Sequence, residues 1–191
     1  MTRSFRHAAL AALIALAPLT AVAAPAEVGT PALAWQSVGT LSPAAGYAEN
    51  IGVAGLVQGT FGDCIIVGGG ANFPAGGPLT GGAKVTYPDV YVLRATADGL
   101  VETDHAQMPY PVGYGASVTT PDGVLYFGGS TDETGARAVT RLTAPNGKLH
   151  TQTLPALPFA LQNGVAAYDK GVVYLGGGKQ DGTLSKKFYT Y

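Results

Sequence analysis

An apolar run that ends in paired glycines occurs three times in this 191-residue chain: "IIVGG" at 65–69, "LYFGG" at 125–129 and "VYLGG" at 173–177. Short runs rich in β-branched and aromatic residues read as strands. Glycines at the end of a strand permit backbone angles and close contacts that other residues forbid. Each pair leads through a loop to a second apolar element, "DVYVL" (89–93), "AVTRL" (138–142) and "KFYTY" (187–191), and these start 49 residues apart both times. A small-residue step precedes each pair, as "NIGVAG" (50–55), "GYGASV" (113–118) and "QNGVAA" (162–167), and "MPYP" (108–111) and "LPALP" (154–158) close the first two units.

A period near fifty, with an apolar strand running into Gly-Gly, is the pattern of the kelch repeat. The sequence therefore predicts an all-β fold, a kelch-type β-propeller. Each blade would have four strands, a to d from the hub outward. Strands are expected near 51–57, 63–68, 86–93, 114–119, 123–128, 136–142, 164–168 and 171–176, with an outer strand near 148–153. The blades would span about 50–110, 111–160 and 161–191, the last incomplete. "ALAWQSVGTLSP" (32–43) reads as an orphan outer strand packed through Trp35. Twenty-eight glycines and 13 prolines suit such a turn-rich chain. Cofactor readings of the glycines fail. A dinucleotide fingerprint needs glycine where Phe73 stands, and a P-loop needs Gly-Lys-Ser/Thr, whereas Lys84 lies between Ala83 and Val85.

Residues 1–23 read as a secretory signal peptide: Arg3 and Arg6, the apolar "AALAALIALAP", then Ala21-Val22-Ala23 before the cleavage point. The apolar core is too short for a membrane span, so the expected location is the periplasm, with no membrane association after cleavage. A net charge of −1 and 12% charged residues offer no basic surface for nucleic acid. Cys64 is the single cysteine, so no intramolecular disulfide forms. Among Ile65, Ile66 and Val67 it reads as a buried structural thiol, with no basic neighbour in sequence to activate it.

Together "ENIGVAG" (49–55), "IIVGGGANFP" (65–74), "GGAKVTYPDVYVL" (81–93), "PYPVGYGAS" (109–117) and "LQNGVAA" (161–167) resemble the cyclically permuted mutarotase family. The long insertion "ANFPAGGPLTGGAKVTYP" after the first glycine pair is the most specific part of that resemblance. It implies a six-bladed propeller that interconverts sialic acid anomers, a small-molecule sugar substrate, and no metal or redox cofactor. Permutation accounts for the orphan strand. The family's proposed catalytic Glu and Arg would lie on the last blade, so no catalytic residue is carried over. The chain then looks like about three of six blades, expected to be inactive alone, with open propeller edges that favour a homodimer or aggregation.

Opening and reclosing a cyclic hemiketal needs a base at the anomeric hydroxyl and an acid at the ring oxygen. The d–a and b–c loops emerge on one face. The former offer Glu49, Asn50, Tyr114, Gln162 and Asn163; the latter offer Asn72, Lys84, Arg137, Lys179 and Asp181. Glu49 is the acid/base candidate. Asn50, Asn72, Lys84, Tyr114 and Asn163 are the substrate-binding candidates, with Lys84 or Arg137 facing a sugar carboxylate. Each has a structural alternative: the asparagines as turn residues, the cations as solvated loop charges, Tyr114 as hub packing. Asp89 reads as structural. A copper oxidase is rejected, because His105 and His150 fall on outer strands and Cys64 inside strand b. A non-catalytic periplasmic kelch module binding carbohydrate or protein is the rival reading.

Overall fold

Alternation of apolar and polar positions decides how this chain folds, and the computed structural model describes the result for residues 34–129 and 135–191. The signal peptide expected at 1–23 lies outside the described residues. The chain divides into Met1–Gln36 and Ser37–Tyr191, and all the described sheets lie in the second unit. Apart from two three-residue 3-10 turns, every regular element among the described residues is a strand.

The first sheet contains β1 (Ala54–Phe61), β2 (Cys64–Asn72), β3 (Val85–Thr86), β4 (Asp89–Thr96) and β5 (Gly99–Gln107), in the order β1-β2-β4-β5 with β3 beside β2. The second contains β6 (Ala116–Thr120), β7 (Gly123–Phe127), β8 (Val139–Thr143) and β9 (His150–Leu154), in that order. After β10 (Leu161–Gln162) come β11 (Val165–Asp169) and β12 (Val172–Gly176). Then follow β13 (Lys179–Gln180), β14 (Thr183–Leu184) and β15 (Phe188–Thr190). The third main sheet is β11-β12-β15, and β10-β13-β14 form a small ribbon. All pairings are antiparallel.

Side chains of the second sheet are buried on both faces. Val124, Tyr126 and Leu142 pack with Val57, Ile66, Val90 and Val92 of the first sheet. Leu125, Phe127 and Val139 point the other way, against Val173, Leu175, Phe159 and Leu161. Because side chains alternate along a strand, one register sends successive residues into two separate cores. Sheets stacked in this way are blades of a partial β-propeller.

The glycine pairs shift by one residue against the sequence reading in two blades. The left-handed pairs are Gly69–Gly70, Gly128–Gly129 and Gly177–Gly178. Gly68 and Gly176 are extended and pair within their ladders, with Val57 and Val165 on the inner side. Aligned on the left-handed pairs, Gly55, Tyr114 and Asn163 occupy one position, all with positive φ. The Tyr114 N–H donates to the Gly55 carbonyl at 2.7 Å, and the Asn163 N–H donates to the Tyr114 carbonyl at 2.6 Å. A parallel link runs from Gly70 N–H to Val112 O and from Gly129 N–H to Leu161 O. Equivalent backbone groups thus join blade to blade.

The outer strand expected at 32–43 does not form over 34–43; residues 32 and 33 lie outside the described part. A strand needs a ladder, and this segment makes only one backbone link to β5, from Leu100 N–H to Val38 O. Ser42 adds side-chain support, its Oγ donating to Glu102 at 2.9 Å. Trp35 is exposed instead of packed. Tyr191 pairs with Val173 of its own sheet through both backbone groups.

Candidate functional site

Residues 41–53 cross the front of the first sheet and enclose a cavity of about 220 Å³. Two tyrosines from β3–β4, Tyr87 and Tyr91, form its inner wall with Leu56 and Val67, while Tyr47, Glu49 and Asn50 come from the covering segment. Tyr47 meets Tyr87 edge to face, with ring centroids 5.3 Å apart. Burial holds the Tyr87 phenol above its ordinary pKa. Burial, with the Asp89 and Glu102 carboxylates nearby, pushes Tyr91 up to about 12.

The structure brings Glu49, Asn50 and Asn72 together around this cavity. Both amides are engaged within the fold, Asn50 with nearby backbone and Asn72 with Gly52 and the Tyr87 side chain. Asn50 accepts from Gly52 N–H at 2.9 Å and donates to Ser42 O at 3.0 Å. Asn72 donates to Gly52 O at 2.7 Å and accepts from the Tyr87 hydroxyl at 2.6 Å. Their side chains set the shape of the 50–53 turn, as asparagine does where the chain reverses.

Lys84 and Tyr114 form a second group. The Lys84 ammonium stands 4.1 Å from the Tyr114 ring centroid, a cation–π contact. The same ring lies against Gly55, where an added Cβ would come within 2.6 Å of it. Asn163 joins this group through its backbone bond to Tyr114, and its side chain is exposed. Arg137 and Asp181 form a third group on the second and third units, paired at 3.2 Å. Arg137 also donates to Pro158 O, and Asp181 accepts from Ala160 N–H. Gln162 and Lys179 sit opposite each other in the β10–β13 ribbon.

Asp89 carries more than the sequence suggested. It is buried, accepts from Ala45 N–H at 2.9 Å, and meets His105 Nε2 at 2.8 Å. His105 also stacks on Tyr91, centroids 4.5 Å apart, as their register directly opposite each other requires. The carboxylate ties the covering segment to the sheet, which supports its structural reading. The cavity tyrosines were not singled out from sequence; the signal was present in "TYPDVY", where Tyr87 and Tyr91 flank Asp89 at alternate positions and so share its face.

Cys64 is buried as expected. Its cross-strand partner, invisible to sequence proximity, is Arg94, whose guanidinium stands 3.6 Å from the sulfur. Among the described residues, no group of three or more His, Cys, Asp or Glu is placed to hold a metal ion. No helix among them is long and apolar enough to cross a membrane.

The cavity thus presents aromatic faces, one free-standing acid in Glu49 and a carboxylate already engaged in Asp89, while the cation Lys84 stands on the neighbouring turn. No protein-family model matches the chain. It is similar to N-acetylneuraminate epimerases: 34% identical over 130 residues to that of Yersinia pestis (strain Pestoides F), covering 63% of this chain and 32% of the relative. The Brucella melitensis biotype 1 protein of that name is 35% identical over 123 residues, covering 60% and 31%. That of Pasteurella multocida (strain Pm70) is 33% identical over 116, covering 55% and 30%. The chain spans about a third of the length of these curated relatives.

Proposed function

We propose that these blades are the sugar-binding portion of a sialic acid mutarotase-like kelch propeller. The similarity to N-acetylneuraminate epimerases carries the reading, and the chemistry of the loop face supports it. Tyr47, Tyr87 and Tyr91 offer aromatic faces that suit the apolar side of a sugar ring. Lys84, held over Tyr114, is the cation available for a sialate carboxylate. Arg137 is engaged by Asp181 and Pro158 instead. The N-terminal pattern at 1–23 supports export, so the periplasm is the compartment in which this binding takes place.

Mutarotation requires an acid and a base on one substrate. Of the two carboxylates lining the cavity, Asp89 is committed to His105 and Ala45. Glu49 is left as a single candidate. The chain alone is therefore expected to bind sialic acid without accelerating anomer exchange. Saturation-transfer NMR measures binding, and line shapes of the two anomers measure exchange against buffer. Binding that weakens in Lys84→Gln, with exchange at the buffer rate, supports the reading. Absence of binding overturns the sugar assignment, and acceleration overturns the expectation of an incomplete acid–base pair.

A further inference from the structure

Tyr114 stands where the other units use residues suited to left-handed backbone. Its equivalents are Gly55 and Asn163, and the three φ values are 70°, 59° and 53° in chain order. Glycine enters this region freely and asparagine readily, whereas a bulky aromatic residue there is a conformational outlier. The turn itself therefore does not explain a tyrosine. Such strain persists only where the surroundings enforce it, so the contacts of the ring indicate its purpose.

The backbone of Tyr114 is fixed by its N–H to Gly55 O, at 2.7 Å, and by its carbonyl, which accepts from Asn163 N–H at 2.6 Å. The ring lies against Gly55, where an added Cβ would fall 2.6, 2.8 and 2.9 Å from three ring carbons. Only glycine leaves room for it. The Lys84 ammonium stands over this ring, 4.1 Å from the centroid. Lys84 directly precedes β3, and Val85 pairs with Asn72 in β2, so the lysine backbone is anchored while its side chain reaches the next unit. Among the described residues Lys84 forms no ion pair, whereas Arg137 is paired with Asp181. A neutral ring attracts an ammonium without cancelling its charge.

We propose that Tyr114 is a positioning residue that holds the Lys84 ammonium ready for the carboxylate of an acidic sugar, and thereby sets the preference for the acid over its neutral derivatives. This inference rests on the sugar-binding reading above. A lysine free in solvent loses rotamer freedom when it meets a carboxylate, which weakens binding. Over the Tyr114 ring that freedom is already restricted before the ligand arrives. Gly55 belongs to the same arrangement, because its missing Cβ is the space that the ring occupies.

NMR titrations of the chain with sialic acid and with its methyl ester, which lacks the negative charge, test the proposal. Tyr114→Asn removes the ring and introduces the residue that the repeat itself uses at Asn163, while Tyr114→Phe keeps the ring; a thermal melt checks that each variant folds. The intact chain is expected to prefer the acid. Tyr114→Asn should weaken acid binding about fivefold, through lost preorganisation, and narrow the preference over the ester. Tyr114→Phe should restore most of it. Tyr114→Asn combined with Lys84→Gln should bind the acid no more weakly than Lys84→Gln alone, since both act through one ammonium. The Lys84 Cε protons should be shifted upfield by the ring in the intact chain and in Tyr114→Phe, and not in Tyr114→Asn. Undiminished acid binding in Tyr114→Asn, an equal loss toward acid and ester, additive losses in the double variant, or unshifted Lys84 protons in the intact chain overturns the positioning role and leaves the sugar reading standing. Failure of the intact chain to bind either ligand overturns the sugar reading, and the positioning role with it.

Discussion

The N–H of Asn163 donates to the carbonyl of Tyr114 across 2.6 Å, and both residues hold left-handed backbone, with φ of 53° and 59°. The bond joins the start of the third unit to the start of the second, just as Tyr114 is joined to Gly55. Asparagine is one of the few residues that enters this conformation readily. Asn163→Gly is expected to keep stability within a few tenths of a kcal/mol, whereas Asn163→Ala costs roughly 1–2 kcal/mol. Urea unfolding separates the two. If the exposed amide also contacts the sugar, the glycine variant loses binding at unchanged stability.

The glycine pairs make a harsher demand. Gly129 has a φ of 78°, and an added Cβ would fall on the Tyr126 hydroxyl and 2.6 Å from the Gly113 carbonyl. Backbone cannot yield there as a surface side chain would. Gly129→Ala is expected to cost about 3 kcal/mol or more, combining strain with displacement of a buried phenol. Gly171→Ala also has positive φ, at 87°, but meets nothing within 4 Å, so it should cost only the conformational part, about 1–2 kcal/mol. Paired denaturation curves give the difference, and equal losses would show that close packing at Gly129 is unimportant.

Those glycines explain what was legible beforehand. Repeated strand-to-glycine junctions impose a local rule at each turn, so the number of blades and most strand positions could be read from sequence. The one-residue shift of the pair in the first and third blades could not, because three consecutive glycines leave the register to cross-strand pairing. The segment at 34–43 misled for a related reason. Its apolar residues suggest a strand, but strand formation depends on a partner ladder that no local pattern encodes. At the candidate site, Asn50 and Asn72 were found as loop polar residues. Their commitment to Gly52, Ser42 and Tyr87 depends on contacts between residues up to 20 apart.

Asp104 clasps the outer edges of two blades. It accepts the Leu149 N–H at 2.8 Å and pairs with Lys148 at 3.0 Å. These donors, the backbone N–H first, hold its carboxyl below the usual range near 3.8. A depressed folded value means that the unfolded chain takes up the proton first as pH falls. The stabilisation is therefore fully present above the ordinary carboxylate value and is lost as pH falls below about 4 through the folded value. Asp104→Asn should lower stability near neutral pH and flatten this part of the acid limb. Denaturation midpoints between pH 2 and 6 would test it; an unchanged slope would rule out the clasp as a source of acid sensitivity.

Tyr91 gives the opposite limb. Its phenol is pushed up to about 12, chiefly by burial and then by the carboxylates of Asp89 and Glu102. Below the ordinary value near 10 the folded and unfolded chains both keep this proton, so burial of the neutral ring contributes in full. Above it the unfolded chain ionises first, and the contribution disappears as pH rises from about 10 to about 12. Tyrosinate absorbance of the folded chain should accordingly show late-titrating phenols among its ten tyrosines. Tyr91→Phe should remove one of them and make stability less sensitive to alkali. Since Tyr91 lines the cavity beneath residues 41–53, its titration also reports whether that cover stays in place. A phenol that ionises near 10 with the chain still folded would mean that the segment lifts and admits water to the front of the first sheet.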